Sequence, residues 1–171
     1  VFPAITICNM NPFVTSESNN FIDLFLKTSN ISSLSDSKIL KSYFPTNYSQ
    51  LAKNFLMGGF LMQTSAMSKN ISNEARKSFG YDFKDFFISC FFALNDCSLN
   101  DWYSYYDSAY GLCFTFNSQL SHFNINSETL KNSSQAGLMS GLQLEVFVKE
   151  NEYENSPIMS SGANIFIHDN R

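Results

Sequence analysis

The sequence predicts an α+β fold in which strands at both ends and in the middle are separated by a helical excursion. Three observations predict it. Apolar, β-branched or alternating runs fall at Val1 to Cys8, Gly111 to Asn117, Leu142 to Val148 and Ala163 to His168. Residues 15–80 instead space their apolar positions at helical intervals. The cysteines supply the third: three of the four lie between Asp85 and Ser118, and Cys8 stands far upstream. Any disulfide that Cys8 forms within the chain must return to that stretch, which folds the intervening residues out as a large insertion.

Length and composition bound the answer. A chain of 171 residues with 44% hydrophobic and 15% charged content is enough for one folded domain with its own core. A net charge of -4 with no basic stripe gives no footprint for nucleic acid. Eighteen phenylalanines and eight tyrosines imply an aromatic core or faces meant for other protein surfaces. No stretch reaches the length of a membrane span, and no leader pattern opens the chain. Apolar strand-like runs stand close to both ends, where polar residues are usual, so the chain reads as a fragment of something longer. Four cysteines allow three pairings, and sequence does not choose among them. Zinc is the weaker alternative, since no C-x2-C occurs and His122 and His168 lie at no ligand spacing. Disulfides place the chain in an extracellular compartment; the alternative is free buried cysteines.

Taken in order, the Val1 to Cys8 strand ends in the turn chemistry of Asn9 to Pro12. A helix follows from Thr15, capped by Ser16 or Ser18, with Phe21, Ile22 and Phe25 on one face. A short helix at Asp36 to Tyr43 stops at Pro45. The next helix carries Leu51, Phe55 and Met62 on a stripe, and Gly58-Gly59 weakens it by about 1 kcal/mol per glycine. Ser72 to Glu74 opens another short helix that ends near Gly80. Asp82 to Phe87 adds a helical turn or two. Cys90 to Cys97 reads as strand, turn and strand, and a bridge between the two would close so short a loop that it contributes less than about 3 kcal/mol, against about 4.7 for a hundred-residue loop. Ser98 and Asp101 have capping-box spacing, which predicts a short helix through Trp102 to Tyr106. Phe114 and Phe116 share a face of the Gly111 strand. Residues 118–140 are loop-like, with a single turn at Ser127 to Thr129. The Leu142 and Ala163 strands close the order.

Chemistry is sparse. No phosphate loop, nucleophile elbow or H-E-x-x-H occurs, and neither histidine is placed beside a free cysteine. The sequence therefore predicts no enzyme, cofactor or metal site. Glu150, Glu152 and Glu154 form an acidic cluster best read as a solvated turn. Sequons stand at Asn30, Asn47, Asn70 and Asn132, a number that a serine-rich chain reaches by chance. Trp102, Tyr103, Tyr105, Tyr106 and Tyr110 form the sharpest candidate contact surface, with packing inside the fold as the favoured reading.

Five blocks carry a family resemblance. Phe2-Pro3-Ala4-Ile5-Thr6-Ile7-Cys8-Asn9 resembles the block that follows the first membrane helix in subunits of the degenerin/epithelial sodium channel family. Tyr110-Gly111-Leu112-Cys113-Phe114-Thr115-Phe116-Asn117 is similar to that family's Y-G-x-C-[YF]-T-F-N. Cys90-Phe91-Phe92 to Cys97 matches its C-x-F…C pair. Gly141 to Leu144 and Gly162 to His168 look like two further family strands in the expected order. Residues 13–80 contribute no family motif.

The resemblance implies the pairings Cys8–Cys113 and Cys90–Cys97. It implies a first palm strand in residues 1–12, a helical finger in 13–82, and β-ball and palm strands in 83–171. It also implies a trimeric, amiloride-sensitive sodium channel with two membrane helices. This chain would then be the N-terminal half of the extracellular domain at the cell membrane, partnered by two other subunits, with sodium passing through a pore it does not contain. Activation by proteolysis is unsupported, because Arg76 is the only arginine before Arg171. Acid gating through carboxylate pairs is unsupported too, because Glu17, Asp23, Asp36 and Glu74 are scattered. An extracellular peptide and mechanical force stay open as stimuli. The alternative reading is a secreted, disulfide-stabilised protein- or peptide-binding module.

Overall fold

The computed structural model describes residues 1–28, 50–119, 130–133, 137, 139–148 and 161–170, and for residues 50–57 the backbone alone. His122, Glu150, Glu152, Glu154, Asn30, Asn47, the short helix expected at 36–43 and the single turn expected at 127–129 lie outside the described residues.

Helix and sheet are mixed, as composition and periodicity predict. The strands are β1 (Ala4–Asn9), β2 (Phe87–Phe92), β3 (Asn95–Asp96), β4 (Trp102–Asp107), β5 (Gly111–Phe116), β6 (Leu142–Val146) and β7 (Ala163–His168). They form an antiparallel four-stranded sheet in the order β4-β5-β1-β7 and a three-stranded sheet in the order β3-β2-β6. The first strand thus becomes an inner strand between two that are remote in sequence. Along β1, Ile5 and Ile7 stand opposite Phe116 and Phe114, on the face that also carries Trp102. That face meets Phe87 and Phe92 of the smaller sheet. Rings pack edge-on or tilted: Phe87 and Trp102 centroids are 4.8 Å apart, Phe2 and Phe92 5.0 Å, and Phe92 and Phe116 5.5 Å. Each such pair adds about 0.5–1.5 kcal/mol beyond the area it removes from water. The aromatic load is therefore the core. Toward the β7 edge the same face is bare, with Ile165 and Ile167 exposed.

The helices are α1 (Ser16–Thr28), α2 (Gln50–Met67), α3 (Asn73–Lys77) and α4 (Phe83–Phe86). Thr15, not Ser16 or Ser18 alone, caps α1: its hydroxyl accepts from the Ser18 N–H (3.3 Å) and the Ser18 hydroxyl accepts from the Thr15 N–H (3.1 Å). This reciprocal pairing is a capping box with serine in place of glutamate. Glu17, in the first turn, has its carboxyl held below the ordinary 4.5, first by a backbone hydrogen bond and then by the Ser16 hydroxyl. Helix α2 runs unbroken through Gly58-Gly59, burying Leu61, Met62 and Ser65 along one stripe. Phe13, Ile22, Leu61, Met62 and Phe79 make a second, smaller apolar cluster between the helices and the sheet.

Two further expectations need correction. Trp102 to Tyr106 is strand, not helix. The capping box at Ser98 and Asp101 is present but closes only a 3₁₀ turn, Leu99–Asp101. The aromatic run that follows prefers a pleated, half-buried surface, and β5 offers it an antiparallel partner from Trp102↔Phe116 to Asp107↔Gly111. The hairpin strand also starts earlier, at Phe87 rather than Cys90. Its turn is the pair Ala93 and Leu94, at φ 48° and 67°. Both are positive, as a two-residue turn between twisted strands requires.

Gly111 is set by geometry. It sits at φ 79°, and a Cβ there would lie 2.5 Å from the Pro12 side chain. Only glycine lets β5 start this close to the end of β1.

Candidate functional site

Cys8 and Cys113 stand directly opposite in the β1–β5 register and are bonded, with Cα atoms 4.3 Å apart. Both are buried, and the bond spans 105 residues of sequence. Cys90 and Cys97 are bonded across the hairpin, seven residues apart. There the Cys97 N–H also donates to the Cys90 carbonyl at 3.0 Å. Beside the longer bridge runs a row of polar side chains: Thr6 Oγ1 lies 2.6 Å from Thr115 Oγ1 and 2.8 Å from His168 Nε2. The His168 Nδ1 lies 2.8 Å from the Asp169 carbonyl, so the ring is held from both sides.

At the end of the sheet where β1 begins, one asparagine ties four segments together. Asn117 adopts φ 57°, which closes β5 and turns its amide inward. Its Nδ2 donates to the Phe2 carbonyl, and its Oδ1 accepts from the Lys131 N–H at 2.7 Å. Asn170 donates to the carbonyls of both Phe2 (3.0 Å) and Asn117 (2.7 Å). Lys131 in turn pairs with the buried Asp101 at 3.0 Å. A buried carboxylate needs both charge and hydrogen-bond partners, and Asp101 has them in Lys131 and the Ser98 N–H.

A second polar cluster joins the helices to the sheet. The Arg76 guanidinium donates to the carbonyls of Ser65 (2.9 Å), Ala66 (3.2 Å) and Ser68 (2.7 Å), at the end of α2. Lys77 Nζ donates to the Ser104 carbonyl on β4 at 2.8 Å. The Ser65 hydroxyl donates to the Met62 carbonyl and lies 2.7 Å from the Tyr106 hydroxyl. Burial pushes the Tyr106 hydroxyl above its ordinary 10.0, and the Asp107 charge adds to it, against the Ser65 hydrogen bond and the Arg76 charge.

Strand alternation divides the aromatic run between two faces. Trp102 is 8% exposed and belongs to the core, and Tyr106 faces α2. Tyr103 and Tyr105 point the other way and stack on each other, centroids 6.0 Å apart. Tyr110 lies against Phe166 at 4.9 Å. Of the sequons, Asn70 and Asn132 are exposed. No group of metal-ligating side chains and no helix long and apolar enough to cross a membrane occurs among the described residues. Sequence reasoning placed Asn117 in a family-like block without giving it a role, and passed over Ser65 and Lys77. Arg76 alone carried a signal, as the single interior arginine of a chain poor in charge.

A family model described as amiloride-sensitive sodium channel matches residues 1–171. Among curated proteins, the chain is 30% identical over 98 residues to "Epithelial sodium channel subunit gamma" of Bos taurus, covering 57% of this chain and 14% of the relative. It is 31% identical over 96 residues to the gamma subunit of Pelodiscus sinensis, with 56% and 14% covered. Against "Epithelial sodium channel subunit beta" of Xenopus laevis it is 26% identical over 112 residues, with 66% and 16% covered. The chain thus spans well under a fifth of the length of these relatives.

Proposed function

The chain belongs to the amiloride-sensitive sodium channel family, and from that premise we propose that it is extracellular and part of one subunit of a trimeric, amiloride-sensitive sodium channel. The observation that carries the reading is covalent. Cys8 and Cys113, each inside a block resembling the family's, are bonded in the register of β1 and β5. In this reading the four-stranded sheet belongs to the palm and the β3-β2-β6 sheet to the β-ball, while residues 13–82 form the finger. The subunit's task is to receive an extracellular stimulus on the helical arm and pass it through the sheet toward the membrane. Its partners are two further subunits, and sodium is the permeant ion.

The stimulus is proposed to be a peptide or a mechanical load. The stacked Tyr103 and Tyr105, half-buried on the face away from the aromatic core, offer an aromatic peptide a surface of the right chemistry. The exposed Asn70 and Asn132 are proposed to carry glycans; digestion with an N-glycosidase should change the mobility of the protein, and an unchanged band removes that proposal.

Voltage clamp of cells expressing the full-length protein tests the function. The expected result is an inward sodium current, blocked by amiloride, that rises on stretch or on application of aromatic peptides. Full-length protein at the cell surface that passes no sodium current under acid, peptide or stretch would overturn the reading.

A further inference from the structure

We propose that Arg76 and Lys77 are positioning residues that fix the helical arm to edge strand β4, so that displacement of α2 is handed to the sheet at Ser65. The proposal rests on the channel reading for its purpose but not for its geometry.

A helix leaves its last carbonyls without intrahelical partners. Two such carbonyls of α2, those of Ser65 and Ala66, and that of Ser68 just beyond it are taken by one guanidinium, whose remaining arm donates to Asn73 Oδ1 at 2.8 Å. The planar fork of arginine holds such an array in one orientation, which a flexible lysine could not do. The next residue turns to the other side: Lys77 reaches the Ser104 carbonyl of β4. Helix α3 is therefore a short block with one cation anchored in the arm and the other in the sheet.

Ser65 is where the lines meet. Its carbonyl accepts from Arg76, and its hydroxyl donates to the Met62 carbonyl and lies within hydrogen-bond distance of the Tyr106 hydroxyl. Ser65 is fully buried. The surrounding cluster of Phe13, Leu61, Met62 and Phe79 is apolar and non-directional, so it resists separation more than sliding. The directed hydrogen bonds fix the register that the apolar contacts leave free. From β4 the connection continues through the β5 ladder to Cys113, and by the bridge to β1.

The joint can be read directly, because Arg76 is a cleavage site only when its surroundings open. Full-length protein in detergent is treated with an arginine-specific protease, and cleavage of the Arg76–Lys77 bond is followed by mass spectrometry. Rates are normalised to each urea-unfolded variant. Wild type should resist, Lys77→Gln and Tyr106→Phe should each raise the rate about five- to tenfold, and Lys77→Arg should restore most of the protection. Amide exchange in β5 should stay unchanged. Wild-type cleavage as fast as that of Lys77→Gln, equal rates for Lys77→Gln and Lys77→Arg, or loss of β5 protection alongside would each overturn the joint. Voltage clamp on the same proteins separates the two readings. Wild type without sodium current defeats the channel reading and leaves the proteolysis result standing. A sodium current whose open probability and response are unaltered by Lys77→Gln overturns the positioning role.

Discussion

The sheet body and the helical arm are held together by different means. Among the described residues, the body has a buried cluster of nine large apolar residues, two disulfides and continuous backbone ladders. The described part of the arm has a buried cluster of five and is fixed to the body by directed polar contacts at Ser65 and Lys77, with Arg76 tying α3 to α2. The body is suited to keep its shape while transmitting a displacement. The arm is attached by bonds that can be rearranged one at a time, which is where a displacement can begin.

Removing the covalent tie should have the largest effect. Replacing Cys8 and Cys113 by serine frees a loop of 105 residues and should cost about 4.8 kcal/mol on the chain-entropy model. Urea unfolding followed by Trp102, the single tryptophan, reads the loss. A change under about 1 kcal/mol would mean that the ladders alone fix β1 between β5 and β7. In the arm, Leu61 is fully buried, and Leu61→Ala should cost about 3 kcal/mol. Hydrogen exchange should show that loss in α1 and α2 while β5 stays protected; equal loss in both would erase the contrast between the regions. The shorter bridge comes next. Replacing Cys90 and Cys97 by serine opens a seven-residue separation and should cost about 2.4 kcal/mol, half the effect of the longer bridge. Because Leu94 holds φ 67°, adding Leu94→Gly should return about 1 kcal/mol in the same unfolding assay.

The body was legible in the sequence because its constraints are local or covalent. Alternation located β1, β5, β6 and β7, and the family-like blocks named the cysteines that the structure joins. The misreading of Trp102 to Tyr106 is instructive. Its helix-start signal is real and is spent on a single 3₁₀ turn. What decides the next six residues is the edge of β5, which no window around Ser98 contains. The same blindness made the tyrosines look like one patch, although a period of two separates Trp102 and Tyr106 from Tyr103 and Tyr105. The arm joint was illegible for a related reason. Ser65 and Tyr106 are 41 residues apart, and neither residue type is unusual where it stands.

The smallest effect expected is also the one that isolates the joint. Burial holds the Tyr106 hydroxyl protonated above its ordinary 10.0, so the folded state keeps a proton that the unfolded chain gives up. Stability that depends on this tyrosine is therefore fully present below that value and is lost as pH rises through the folded-state value. Lysines and the other tyrosines also titrate there, so the wild-type profile alone assigns nothing. The difference between wild type and Tyr106→Phe does, because the variant keeps the ring and lacks only the group that ionises. Below about pH 9 the variant should be less stable by roughly 1 kcal/mol, the worth of one hydrogen bond. As pH rises further the two unfolding midpoints should converge. Parallel profiles across the whole range would mean that Tyr106 ionises as freely in the folded protein as in the unfolded chain, so that burial at the joint does not set its protonation.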